Sequence, residues 1–205
     1  MTATPTPADL VALVMSGAPS VGPVRLVCID GPAGSGKTTL ADALAVALRP
    51  HIGDTPVVHA DDLYEGWALV ADSPDRVAAF ALFAERIEQW LLEPWSRGEP
   101  AVHPVRDWYA DSWGPSVAVP AAPVIVLEGV GTASRTLRAR ATLSVWVEVD
   151  PVLAIERVLA RDGEAMRGDI VSWQRDETIW HELDGTRAGV DVRVRGEETE
   201  RTVRS

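Results

Sequence analysis

Asparagine is absent from all 205 residues, and lysine and cysteine occur once each. Without asparagine the N-K-x-D segment that reads guanine in GTPases cannot be present, which excludes a guanine switch of that design. With Cys28 alone, and that in an apolar run, neither a disulfide framework nor a cysteine-based metal site can be built within one chain. Cys28 reads as a small buried hydrophobe. No apolar run approaches the roughly 20 residues that span a bilayer, so no membrane partner is expected. The stretch LVALVMSGA follows no basic residue and abuts Asp9, so it reads as a helix over 7–17, with Thr6 as cap and Pro7 at its first position, and not as a signal-peptide core. Positive charge is scarce too. Nineteen Lys and Arg against 30 Asp and Glu leave a net charge of −11, a field that repels nucleic-acid polymers. Any phosphate this protein binds must be held by a local site, and a cytoplasmic protein is the expectation.

What is present is the composition of one globular domain, with 46% hydrophobic and 24% charged residues. Short β-branched runs at 24–29, 56–60, 123–127, 143–149 and 190–194 read as strands buried on both faces. Helical stretches lie between them. The segment 76–92 sets Phe80, Phe83, Ile87 and Trp90 on one face at three- and four-residue steps. This alternation predicts an α/β fold, an open parallel sheet of about five strands flanked by helices. The proline-rich stretch 115–123 reads as a loop into the third strand, and 197–205 as a loose tail.

The single lysine stands in Gly31-Pro-Ala-Gly-Ser-Gly-Lys37-Thr38, which fits G-x-x-x-x-G-K-[ST] between a predicted strand and a predicted helix. Such a phosphate loop (31–38) turns backbone N–H groups inward around a phosphate chain at a helix N-terminus. Gly31, Ala33, Gly34, Ser35, Gly36, Lys37, Thr38 and Thr39 are therefore the candidate nucleotide-binding residues. Lys37 would reach the β- and γ-phosphates, and the Thr38 hydroxyl would bind Mg²⁺. A planar guanidinium is bulkier and hydrogen-bonds differently, which offers a reason for lysine here in a chain whose other cations are arginines.

Four acids, Asp30, Asp61, Glu128 and Asp150, stand at the C-terminal ends of predicted strands, the edge where open α/β sheets bind ligands. Asp150, followed by Pro151, reads as a helix cap, and Asp30 as support for the loop. Asp61 is favoured as the base that takes a proton from an acceptor hydroxyl, with Asp62 the alternative; Glu128 would hold Mg²⁺ through water or support the site. Arg157 and Arg161 lie four apart on one predicted helix face, and Arg167 follows in the Gly-flanked segment DGEAMRGD. This region, 157–170, could close as a lid whose arginines stabilise transferring charge, or form a solvated face paired with Glu156 and Asp162.

An acceptor region is expected over 59–113. Trp67 and Trp108 stand in predicted loops there and either line an acceptor pocket or plug the underside of those loops, whereas Trp90 and Trp146 fit core positions. Of the four histidines none has metal-ligand spacing to another; His103, beside Arg106 and Asp107, reads as structural.

Taken together, IDGPAGSGKTT, HADDLY, VRDW, VIVLEGV and ERVLARDGEAMR resemble, in order, the motifs of the uridine kinase-like branch of the P-loop nucleoside and small-molecule kinases, over 24–167. The resemblance implies a P-loop NTPase fold with a small Arg-bearing lid, ATP or GTP with Mg²⁺ as donor, and a hydroxyl acceptor. It also implies Asp61 as catalytic base, Tyr64 lining the acceptor site, and Arg106-Asp107-Trp108 at the family's Y-D-F-type motif, with Asp62 and Trp67 nearby. Glu128-Gly129 matches its E-G turn, and Arg157, Arg161 and Arg167 its lid arginines. Arg106 replaces the family's tyrosine, and the ribose-binding F-D-x-P segment has only Asp72 and Asp75 as stand-ins. The phosphate half thus matches better than the acceptor half. The expected activity is a small-molecule kinase with a nucleoside-like acceptor; an antibiotic or sugar phosphotransferase and a non-catalytic ATP-dependent switch are the alternatives, and a homo-oligomer is left open.

Overall fold

The computed structural model describes residues 4–64, 76–108 and 110–196, the side chains of 76–78 excepted. Trp67, Asp72, Asp75 and the tail 197–205 lie outside the described residues. Five strands form one parallel sheet in the order β2-β5-β1-β6-β7, from β1 (Arg25–Asp30), β2 (Val57–His59), β5 (Val124–Glu128), β6 (Leu143–Glu148) and β7 (Val192–Arg195). All five coincide with the β-branched runs.

The two-residue period of a strand divides the interior between two cores. On one side Val27, Ile29, Val124, Val126 and Val145 pack with Leu10 and Val14 of the helix Pro7–Ser16 and with Leu44 and Leu48 of the helix Lys37–Ile52. On the other, Leu26, Cys28, Ile125 and Leu127 meet Phe80, Phe83 and Ile87 of the helix Arg76–Ile87. Gly17 caps the first helix, which ends one residue before the expected boundary. Asp150 accepts from the backbone N–H groups of Val152 (2.9 Å) and Leu153 (3.2 Å), a cap for the helix Pro151–Asp162 that contributes about 1 kcal/mol.

Two features differ from the sequence expectations. First, 115–123 is not wholly loop: Ser112–Val119 (β4) pairs antiparallel with Ala101–Asp107 (β3) in a separate two-stranded ribbon. Pro104 and Pro115 hide these strands from a pattern reading, yet in a ribbon with two free edges a residue lacking N–H costs no obligatory ladder bond. Second, the helix after Ile87 passes through a π turn (Glu88–Leu92). The extra residue rotates the buried face, so Leu91, Leu92 and Trp95 enter the core while Trp90 is only half-buried. Trp90 instead sets its ring edge-on to Trp113 at 5.8 Å, with the Arg86 guanidinium 5.0 Å from its centroid.

Candidate active site

The parallel register brings three strand ends to one level: Glu128 at the end of β5 stands opposite Ile29 of β1 and His59 of β2. From β1 the chain turns into the phosphate loop, which leads into the helix Lys37–Ile52. Gly34 adopts φ +79°, and a Cβ there would lie 2.3 Å from the Ala154 carbonyl oxygen, so only glycine lets the loop settle on the helix Pro151–Asp162. Lys37 is buried and its Nζ donates to the carbonyls of Gly31 (2.8 Å) and Pro32 (2.9 Å), holding the ammonium against the loop it serves. Ser35 is buried with its hydroxyl unpartnered, while Thr38 and Thr39 face outward at the first turn of the helix.

Asp30 is fully buried and its carboxylate accepts from the N–H groups of Gly31 (2.7 Å), Gly131 (3.0 Å) and Ala133 (2.9 Å). His181 Nε2 lies 3.2 Å from the same carboxylate. Burial works against its charge, but His181 and the backbone donors prevail and hold Asp30 below the usual carboxylate range. It thus ties the phosphate loop to the turn after β5.

The Thr38 hydroxyl donates to Glu128 Oε1 at 3.1 Å, and His59 Nδ1 donates to the same oxygen at 2.6 Å. That hydrogen bond raises the His59 pKa. No group of three or more His, Cys, Asp or Glu able to hold a metal occurs among the described residues. One hydroxyl and one carboxylate nevertheless fit Mg²⁺, which keeps several waters and takes its remaining ligands from substrate phosphates.

Asp61 and Asp62 sit in the 3-10 turn Ala60–Leu63 directly after β2. Gly129, at φ +145°, admits this turn: a Cβ on it would stand 2.5 Å from Ala60 Cβ. The Asp61 side chain is exposed to solvent, with protein packed around its carboxyl. This crowding pushes its pKa up, opposed by the charges of Lys37 and Arg161 and reinforced by Glu128 and Asp62. Burial likewise raises Asp62, opposed by His59 and His103. Asp61 therefore shares its field with Lys37 and Arg161, Asp62 with the two histidines.

The three arginines expected on a lid, Arg157, Arg161 and Arg167, do not converge on one point. Arg157 Nη1 lies 3.4 Å from the Gly34 carbonyl; Arg161 forms a paired contact with its neighbour Asp162 (2.6 and 2.8 Å), and Arg167 pairs with Glu164 in an exposed turn.

Among the residues expected to meet an acceptor, Tyr64 stacks on Phe83 with centroids 4.0 Å apart and donates its hydroxyl to the Val130 carbonyl at 2.6 Å, so it belongs to the core wall. Arg106 is buried, pairs with Asp111 and lies 5.7 Å from the Trp113 ring centroid, its Nε unpartnered. Asp107 caps the hairpin turn through the Ala110 N–H at 2.8 Å, and Trp108 packs half-buried against the main core.

One buried acid escaped the sequence reading. Glu177, in the helix Arg167–Asp184, has no solvent exposure, and both carboxylate oxygens accept from the Ala33 N–H at 3.2 Å. Burial pushes its pKa up to about 7, tempered by Lys37, the Ala33 N–H, His181 and Trp173. The signal was present: Trp173, Glu177 and His181 are four apart and share a helix face with Ile170.

The fold is that of the P-loop kinases. The chain superposes on a possible uridine kinase from Bacillus stearothermophilus with a TM-score of 0.68 at 20% identity, over 92% of this chain and 97% of that one. A candidate fructose transport system kinase from Silicibacter sp. TM1040 matches with a TM-score of 0.63 at 20% identity, over 92% and 98%. YFH7 from Saccharomyces cerevisiae, described as a candidate P-loop containing kinase with a circular permutation, matches with 0.58 at 12% identity, over 94% and 98%. No family model and no curated protein matches the sequence. No helix among the described residues is long and apolar enough to cross a membrane.

Proposed function

We propose that the protein is an ATP- and Mg²⁺-dependent small-molecule kinase that moves the γ-phosphate to a hydroxyl, with nucleoside-like acceptors the first to test and GTP the other candidate donor. The observation that carries this reading is the meeting, at one sheet edge, of Lys37, the Thr38–Glu128 pair and Asp61, whose carboxyl feels the Lys37 charge. A nucleotide-binding module needs the first two; an acid in the turn after β2 beyond them is what transfer requires. Two of the structural neighbours, by description a possible uridine kinase and a candidate fructose transport system kinase, carry different names on one scaffold, so the acceptor belongs to the site and not to the fold.

In this mechanism the loop amides and Lys37 hold the phosphate chain, with Nζ exchanging the Gly31 and Pro32 carbonyls for phosphate oxygens. Thr38 and Glu128 would hold Mg²⁺, which neutralises charge on the β- and γ-oxygens when bound. Asp61 accepts the acceptor's hydroxyl proton as its oxygen bonds to the γ-phosphorus and the bond from that phosphorus to the β,γ-bridging oxygen breaks, leaving ADP. Arg157 and Arg161 offset the charge that moves. The test is ADP release from ATP and Mg²⁺ with nucleosides, sugars, vitamins and aminoglycosides offered in turn. One acceptor raising turnover above the acceptor-free rate supports the kinase. ATP binding without stimulation by any of them would count against transfer.

A further inference from the structure

The Glu128 carboxylate is held from both of the strands that flank β5. The Thr38 hydroxyl, in the first turn of the helix after β1, donates to Oε1 at 3.1 Å, and His59 Nδ1, at the end of β2, donates to the same oxygen at 2.6 Å. The second bond follows from the ladder: β2 pairs parallel with β5 and sets His59 opposite Glu128, so the two side chains leave one face of the sheet side by side. Their exposures differ. The Glu128 side chain is 6% exposed and that of His59 43%. A pair with one half-exposed member adds little to stability, whereas a buried carboxylate is costly unless donors meet its charge. The consequence of the bond therefore lies at Glu128.

Thr38 and Glu128 are also the residues that fit Mg²⁺. A carboxylate holds a metal best in the orientation that its own hydrogen-bond partners impose, so groups one step out from the ion tune its hold. We propose that His59 is a positioning residue for the metal: its Nδ1–H, together with the Thr38 hydroxyl, fixes the Glu128 carboxylate in the orientation in which Thr38 and Glu128 would hold Mg²⁺. The inference rests on the kinase reading above and names what orients one of its metal-holding groups. It also gives β2 two tasks. The last residue of the strand sets the metal carboxylate, and Asp61, the candidate base, follows in the turn directly after it, so one edge strand places both.

The test measures ATP affinity by calorimetry, with excess Mg²⁺ and with EDTA, in the parent, in His59→Ala and His59→Asn, and in His59→Ala again on a Glu128→Gln background. The readout is the factor by which Mg²⁺ tightens ATP binding. His59→Ala should lower that factor about tenfold or more and leave the affinity in EDTA unchanged. Asparagine puts a neutral N–H where Nδ1 stands, so His59→Asn should keep the factor near that of the parent. The charges that act on His59 besides Glu128 are acids, Asp62 and Asp42, and an uncharged donor separates orientation from any cationic effect of the ring. On the Glu128→Gln background His59→Ala should change nothing further, because His59 acts through that carboxylate. An undiminished factor in His59→Ala, no rescue by His59→Asn, or an equal loss with Glu128 replaced would each overturn the inference. A parent whose ATP binding is indifferent to Mg²⁺ would remove the metal assignment and the inference with it; a parent that binds no ATP would remove the phosphate-loop reading beneath both. On the parent alone, the ¹H–¹⁵N spectrum of the His59 ring should show a proton on Nδ1 with and without Mg²⁺ and ATP, and a ring protonated on Nε2 alone refutes the proposal even if a variant fails to fold.

Discussion

Replacing Glu177 by glutamine should stabilise the protein at neutral and alkaline pH and do nothing at acid pH. The carboxyl is raised from 4.5 to about 7 by burial. Because the folded value lies above the unfolded one, the unfolded chain gives up this proton first. The contribution to stability is therefore fully present below pH 4.5, declines as pH rises toward 7, and stays lost above it. At about 1.4 kcal/mol per pH unit, that interval corresponds to about 3 kcal/mol. Lys37 and the Ala33 N–H already temper the shift, so their attraction is contained in that figure. Glutamine carries no charge to bury and keeps an oxygen within reach of Ala33. The variant should thus exceed the parent by up to about 3 kcal/mol at pH 8, a rise in Tm of up to roughly 6 to 12 °C for a chain of this size. The difference should shrink to near zero by about pH 4.5, read as paired urea and thermal unfolding curves across that range. Other acids titrate alike in both proteins and cancel. A difference that does not change with pH, or a variant less stable than the parent at pH 8, would refute the argument that an ionised buried carboxylate strains this loop.

Lys37→Ala should abolish transfer and weaken ATP binding while the circular dichroism of the fold is kept; full activity would overturn the phosphate-loop assignment. Asp61→Asn should keep ATP affinity and lose about 10²- to 10⁴-fold in turnover, the scale of a general base; if Asp62→Asn shows that loss instead, the base is Asp62. Gly34→Ala forces a Cβ to within 2.3 Å of the Ala154 oxygen at φ +79°, so the loop must shift and ATP affinity should fall, and an unchanged titration would show the loop more pliant than its packing implies.

The parallel sheet was legible because its central strands β1, β5 and β6 are buried on both faces, which leaves continuous β-branched runs with no competing helical period. The phosphate loop was legible for a different reason: its chemistry is local, and one octapeptide supplies the glycines, the cation and the hydroxyl. The ribbon of β3 and β4 was not, since its prolines sit where a free edge tolerates them, a tertiary fact that no window of sequence contains. Trp90 misled for a related reason, because the π turn inserts a residue into a periodicity that the sequence continues unbroken.

The candidate site divides along the same line. Lys37, Thr38, Asp61 and Glu128 sit next to strand ends, so knowing the strands is enough to bring them together. Glu177 and His181 lie 144 and 151 residues along the chain from Ala33 and Asp30, and only the packing of one helix against the loop relates them. In the sequence they look like polar residues of an amphipathic helix. What distinguishes them is that they share a face with Trp173, where a charged side chain should not stand without a partner. An acid and a histidine on the apolar face of a helix are thus a question the sequence poses, and the fold answers it at the phosphate loop.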